Sequence, residues 1–158
     1  MAILAEGDQS LQHRGWLMTP EALAALEADE ADLAREAPAA SVLVRGHAPG
    51  EHGDSTPIPN VEGQRLLRRL ATVRSVLGQA TVIDDPERVV IGRRVTVRED
   101  DGTTARYEVV IPGDGDVASN RIAADSPVGA ALIGRRLGET VTVAAPAGSW
   151  TVTIIQVE

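Results

Sequence analysis

Cysteine, phenylalanine and lysine are all absent from this 158-residue chain, and aromatic residues make up only 2% of it. Without thiols there can be no disulfide, zinc–thiolate centre, iron–sulfur cluster or cysteine nucleophile, so metal could bind only through carboxylates and three histidines. Trp16, Tyr107 and Trp150 are the only tryptophan or tyrosine side chains, so the core must be built from aliphatic side chains and an aromatic-lined ligand pocket is hard to assemble. No stretch approaches the roughly 18 apolar residues of a membrane span, and the apolar run in MAILAEGD is too short for a signal peptide. A cytoplasmic protein with no membrane association is expected.

What is present is charge, unevenly spread. The net charge is −8, yet residues 61–80 carry four arginines against one acid, while residues 1–60 carry ten acids and three arginines. An acidic chain lacks the broad cationic surface that releases counterions from duplex nucleic acid, so autonomous DNA binding is not expected and a protein partner is.

Two stretches read as helices. In MTPEALAALEADEADLARE, Thr19 is the expected N-cap, Pro20 occupies the first helical position and Glu21 complements the dipole. Leu23, Leu26 and Leu33 form one stripe, and Pro38 is expected to end or kink the helix near Glu36. The second helix runs from Val61 to Leu77, with Leu66, Leu70, Val73 and Leu77 on its stripe and Gly78 beyond its end. Acids on the first helix and Arg65, Arg68, Arg69 and Arg74 on the second predict an antiparallel hairpin that pairs opposite charges. A long loop at about residues 38–60 joins the two.

From Ala80 the apolar period changes to two. VTVRE, a DDG turn and ARYEVVI predict one β-hairpin; ETVTVAAP and SWTVTIIQVE predict another around Pro-Ala-Gly. Between them Ser126 before Pro127 starts a short helix, PVGAALIG, ending at Gly134. The reading is α+β: residues 1–79 form an antiparallel helical hairpin, or coiled coil, and residues 80–158 a small, mostly antiparallel sheet domain with one short helix.

These motifs in order resemble the Gre transcript-cleavage factor family, the GreA/GreB-like regulators of bacterial RNA polymerase, with Rnk a more distant likeness. The resemblance is carried by ATVIDD at 80–85, by IGRRVTV, by ADSPVGAALIGRRLGETVTVAAPAG and, more thinly, by MTPEALAAL and EHGD at 51–54. It implies an FKBP-like sheet domain that clasps the rim of the polymerase secondary channel, on the β′ subunit, and a coiled coil that enters the channel as a monomer. Asp125, Ser126 and Pro127 match the partner-binding corner.

Glu51, His52, Gly53 and Asp54 match the hairpin tip. In the family, two tip carboxylates three residues apart help the polymerase retain a second Mg²⁺ for RNA cleavage. Asp54 matches the first, but Pro57 stands where the second would be and offers no ligand atom. The expectation is therefore a polymerase-binding regulator that inhibits without stimulating cleavage, with no cofactor of its own and the polymerase Mg²⁺ involved only if the tip reaches the active site. Two alternatives are a cleavage factor that uses Asp54 alone and an Rnk-like interaction module. A free-standing enzyme is not expected: Tyr107 and Trp150 are too few rings for a prolyl-isomerase pocket, and likeness of fold does not carry activity.

The remaining signals have simpler readings. His52 beside Asp54 on a Gly-Pro-rich stretch is a weak metal pair and a reasonable turn residue. The acid-rich EDDG and GDGD segments read as solvated turns, since Asp and Gly favour those conformations. No glycine-rich stretch follows a strand and opens a helix in the manner of a nucleotide site.

Overall fold

A computed structural model of the protein describes residues 15–40 and 61–158. A short strand, β1 (Trp16–Met18), leads directly into α1 (Pro20–Ala40). Thr19, itself buried, accepts the Ala22 amide on its side-chain oxygen at 3.0 Å, which satisfies one of the amides that a helix start leaves unpaired. The expected stop near Glu36 does not occur, and Pro38 lies inside the last turn. A proline there loses one amide donor, and the packing of fully buried Ala37 and of Leu33 offsets that loss. Of the loop expected at 38–60, Pro38–Ala40 is thus helical; the rest lies outside the described residues.

The second helix, α2 (Val61–Leu77), is followed by β2 (Ala80–Val82), which pairs with β1 in parallel. Because α1 departs from β1 and α2 returns to its neighbour, the two helices are antiparallel. Their seam buries Leu26, Leu33 and Ala37 on one side and Gly63, Leu70, Val73 and Val76 on the other, with Leu23, Leu66 and Leu77 half-buried. Val76 thus replaces Leu77 as the innermost residue of the last turn. Across the outside of the seam Arg69 reaches Asp29 and Arg74 reaches Glu30 at 2.7 Å, which is the charge pairing the sequence predicts.

The sheet has five strands in the order β5-β4-β3-β7-β6. Strands β3 (Arg94–Glu99) and β4 (Thr104–Val110) form the first antiparallel hairpin, β6 (Thr140–Ala145) and β7 (Gly148–Val157) the second, and β3 pairs with β7 to join them. Asp101 builds the first turn by accepting the Thr103 amide at 2.8 Å, a backbone donor that holds its carboxyl below the usual range. Strand β5 (Arg121–Ala123) adds to β4 in parallel, and α3 (Pro127–Leu132) then crosses toward β6. Gly134 and Arg135, placed in the short helix by sequence pattern or just beyond it, instead bond to Val89, with Gly134 N to Val89 O at 2.7 Å and Val89 N to Arg135 O at 2.8 Å.

Val95, Val97, Val109, Val143, Val152 and Ile154 line the inner face of the sheet, with Leu132 of α3 fully buried among the same cluster. That cluster is continuous with the helical seam through Met18, Val89 and Ile91. Backbone bonds make the same link: Ile91 N donates to Leu17 O at 2.9 Å, and Thr19 N to Ile91 O at 3.0 Å. No described helix is long and apolar enough to cross a membrane.

Candidate functional site

The corner between β5 and α3 holds the three residues singled out for partner binding. Strand β5 ends where Ala124 N donates to Val110 O at 2.9 Å, and the chain then turns sharply: Ser126 N donates to Ala123 O at 3.0 Å. The Ser126 hydroxyl donates to the same carbonyl at 2.7 Å and accepts the Gly129 amide at 3.1 Å. Its φ of −70° and ψ of 160° are those of an N-cap, and Pro127 opens the helix with a ring that needs no amide partner.

Gly129 is required by contact. A Cβ at that position would overlap the Ala123 carbonyl, so only glycine lets α3 lie against the end of β5.

This arrangement divides the three residues. Ser126 is fully occupied in holding the corner, both as donor and as acceptor. Asp125 and Pro127 are exposed, and Asp125 makes no hydrogen bond or ion pair among the described residues. A carboxylate on a rigid turn next to an exposed proline can meet a cationic or amide-rich partner surface with little entropy left to lose. Glu51, His52, Gly53, Asp54 and Pro57 lie outside the described residues. Among those described, no group of three or more His, Asp or Glu residues could hold a metal ion.

A second cluster was not legible in the sequence. Asp114, expected in a solvated turn, is half-buried because Arg69 of α2 pairs with it; a second bond joins Arg69 Nη2 to Asp114 Oδ2 at 3.2 Å. The same nitrogen donates to Asp29 Oδ2 of α1 at 2.8 Å. Asp114 and then Asp29 hold the guanidinium more firmly protonated, against the opposing effect of burial. The only sequence signal was the surplus of arginine in residues 61–80.

The next acid, Asp116, does shape a turn. It accepts the Ser119 hydroxyl at 2.6 Å and the Ala118 amide at 3.1 Å, and these bonds, the hydroxyl first, hold its carboxyl below the usual range. The turn closes with Asn120 in the left-handed region at φ 55° and leaves Val117 exposed.

The family described as "Transcription elongation factor, GreA/GreB, C-term" matches residues 84–158. The transcription elongation factor GreB of Pseudomonas aeruginosa is 32% identical over 152 residues, covering 90% of this chain and 89% of that protein. GreA of Thermotoga neapolitana is 32% identical over 111 residues, covering 68% of this chain and 70% of its own length. Among solved structures, a GreA/GreB elongation factor of Nitrosomonas europaea aligns with 90% of this chain and 98% of its own, at 21% identity and a TM-score of 0.44.

Proposed function

The chain belongs to the GreA/GreB family of transcription elongation factors, and from that premise we propose that it binds RNA polymerase at the rim of the secondary channel and slows elongation without stimulating transcript cleavage. The observation that carries the docking half is the corner at Asp125–Pro127: it is rigid, because Ser126 caps α3, and it offers an exposed carboxylate with no partner among the described residues. Its counterpart is a cationic or amide-rich surface of the polymerase, on the β′ subunit.

The inhibitory half rests on the sequence. Asp54 supplies one carboxylate where the family tip carries two, and Pro57 takes the place of the second. A divalent cation draws most of its affinity from charged oxygen ligands, so a single carboxylate holds a weakly bound ion poorly. The protein in this reading carries no cofactor, has no free-standing enzymatic activity, does not bind DNA by itself and works as a cytoplasmic monomer. Residues 1–79 act as the inserting unit and residues 80–158 as the docking unit.

The test uses a backtracked elongation complex with labelled RNA. Binding to core polymerase and slower nucleotide addition, with short 3′ RNA fragments released no faster than by polymerase alone, is the expected result. Fast release that Asp54→Ala abolishes would replace this reading with that of a cleavage factor. Binding without any effect on elongation would leave an interaction module of the Rnk kind.

A further inference from the structure

Among the described residues, hydrogen bonds tie the helical hairpin to the sheet domain at two places. The first is its base, where β1 bonds to Ile91 and where Gly92, at φ 97°, packs so closely on Thr19 and Ala22 that an added Cβ would lie 2.7 Å from each. The second is Arg69, which bonds to Asp114 in the turn after β4. Asp29, the other partner of Arg69, is ten residues beyond Thr19, about 15 Å up the hairpin at 1.5 Å per residue.

Between the two places the helices do not lie flush on the sheet. A cleft of about 260 Å³ separates Ala22, Ala25 and Leu26 from Val109 and Ile111, and Arg69 and Asp114 stand at its charged margin.

A single point of attachment leaves a rod free to pivot, and a second one along its length fixes its direction. From this geometry we infer that Arg69 is a positioning residue, a strut that bonds to Asp114 and sets the angle at which the hairpin leaves the sheet domain. Its bond to Asp29 has a different role, since it joins α1 to α2 within the hairpin and leaves the angle untouched. The inference gains a functional meaning from the polymerase reading, because the corner at Asp125–Pro127 and the hairpin would both have to reach their targets from one fixed frame. The distance measurement below does not depend on that reading.

The absence of native cysteine allows two spin labels to be placed without background, at Arg65→Cys on α2 and Thr142→Cys on β6, both exposed positions. In the full chain, pulsed electron paramagnetic resonance should give one narrow distance. Arg69→Met and Asp114→Asn should each broaden it, whereas Asp29→Asn should leave it narrow. Raising the salt concentration should broaden the parent and not the Asp114→Asn variant, because partly exposed pairs are screened.

With core polymerase and no labels, Asp114→Asn should bind as the parent does but lose up to about fivefold of its effect on elongation at equal occupancy, the upper end of what a surface charge pair contributes. Narrow distances in both Arg69→Met and Asp114→Asn, with folding intact, would overturn the strut. Broadened distances with an unchanged effect on elongation would remove its role in function. Failure of the parent protein to bind polymerase would count against the proposed function alone, and the distances would still decide the strut.

Discussion

Ser126 accepts the amide of Gly129 at 3.1 Å while its own hydroxyl proton goes to Ala123, so one side chain ties the start of α3 to the end of β5. Asp125 immediately before it is exposed and makes no hydrogen bond or ion pair among the described residues. The helix cap and the exposed carboxylate at this corner therefore belong to adjacent residues and can be separated by substitution. Ser126→Ala should lower stability by about 1 kcal/mol, the usual worth of an N-cap, read from the midpoint of chemical denaturation. Asp125→Arg should leave that midpoint within about 0.5 kcal/mol, as surface changes do, yet weaken binding to core polymerase. Equal affinity of the folded variant and parent would take Asp125 out of the interface.

Gly129→Ala tests the same corner by volume. The added methyl would press on the Ala123 carbonyl, and because that atom belongs to the backbone it cannot swing aside. Overpacking of this kind costs about 1–3 kcal/mol, so the melting temperature should fall further than for Ser126→Ala. A smaller fall would show that α3 can slide away from β5 at little cost.

The helical seam is tested by two leucines one turn apart on α2 that differ in burial. Leu70 is 7% exposed and Leu67 40% exposed. Leu70→Asp puts a carboxylate where solvation requires the helices to part, and it should cost several kcal/mol and much of the helical circular dichroism. Leu67→Asp, with the same change of charge, should cost less than about 1 kcal/mol. Similar losses for the two would mean that helix propensity and charge, rather than burial, hold the hairpin.

Asp116 provides a prediction in pH. Its carboxyl is held below the ordinary value by the Ser119 hydroxyl and the Ala118 amide. A depressed carboxyl contributes stability that is fully present above the unfolded-state value near 4 and is lost as pH falls through the lower folded value. Ser119→Ala removes the larger cause, so the Asp116 carboxyl should titrate closer to the ordinary value. Carboxyl carbon shifts followed by NMR between pH 2 and about 6 would show it. An unmoved titration would assign the shift to the Ala118 amide instead.

Signals that act within one or two turns of chain were legible in the sequence. Thr19-Pro20 and Ser126-Pro127 start helices because a side-chain oxygen and a ring lacking an amide answer a local need, and both starts stand where the residues place them. The two β-hairpins follow from period-two patterns around Asp-Asp-Gly and Pro-Ala-Gly. The helical stripe named most of the seam, although Ala37 and Val76 entered it only because the neighbouring helix fits there. The order of the motifs also gave the family.

Tertiary structure alone decided the rest. The parallel pairings of β1 with β2 and of β5 with β4 join segments too short to carry their own pattern. Nor could the sequence choose Asp114 for Arg69, 45 residues away, or leave Asp125 exposed while Ser126 is engaged. Charge attracts in every direction, and α2 carries four arginines within reach of many acids. Which pair forms depends on where the packed core brings the hairpin and the sheet together.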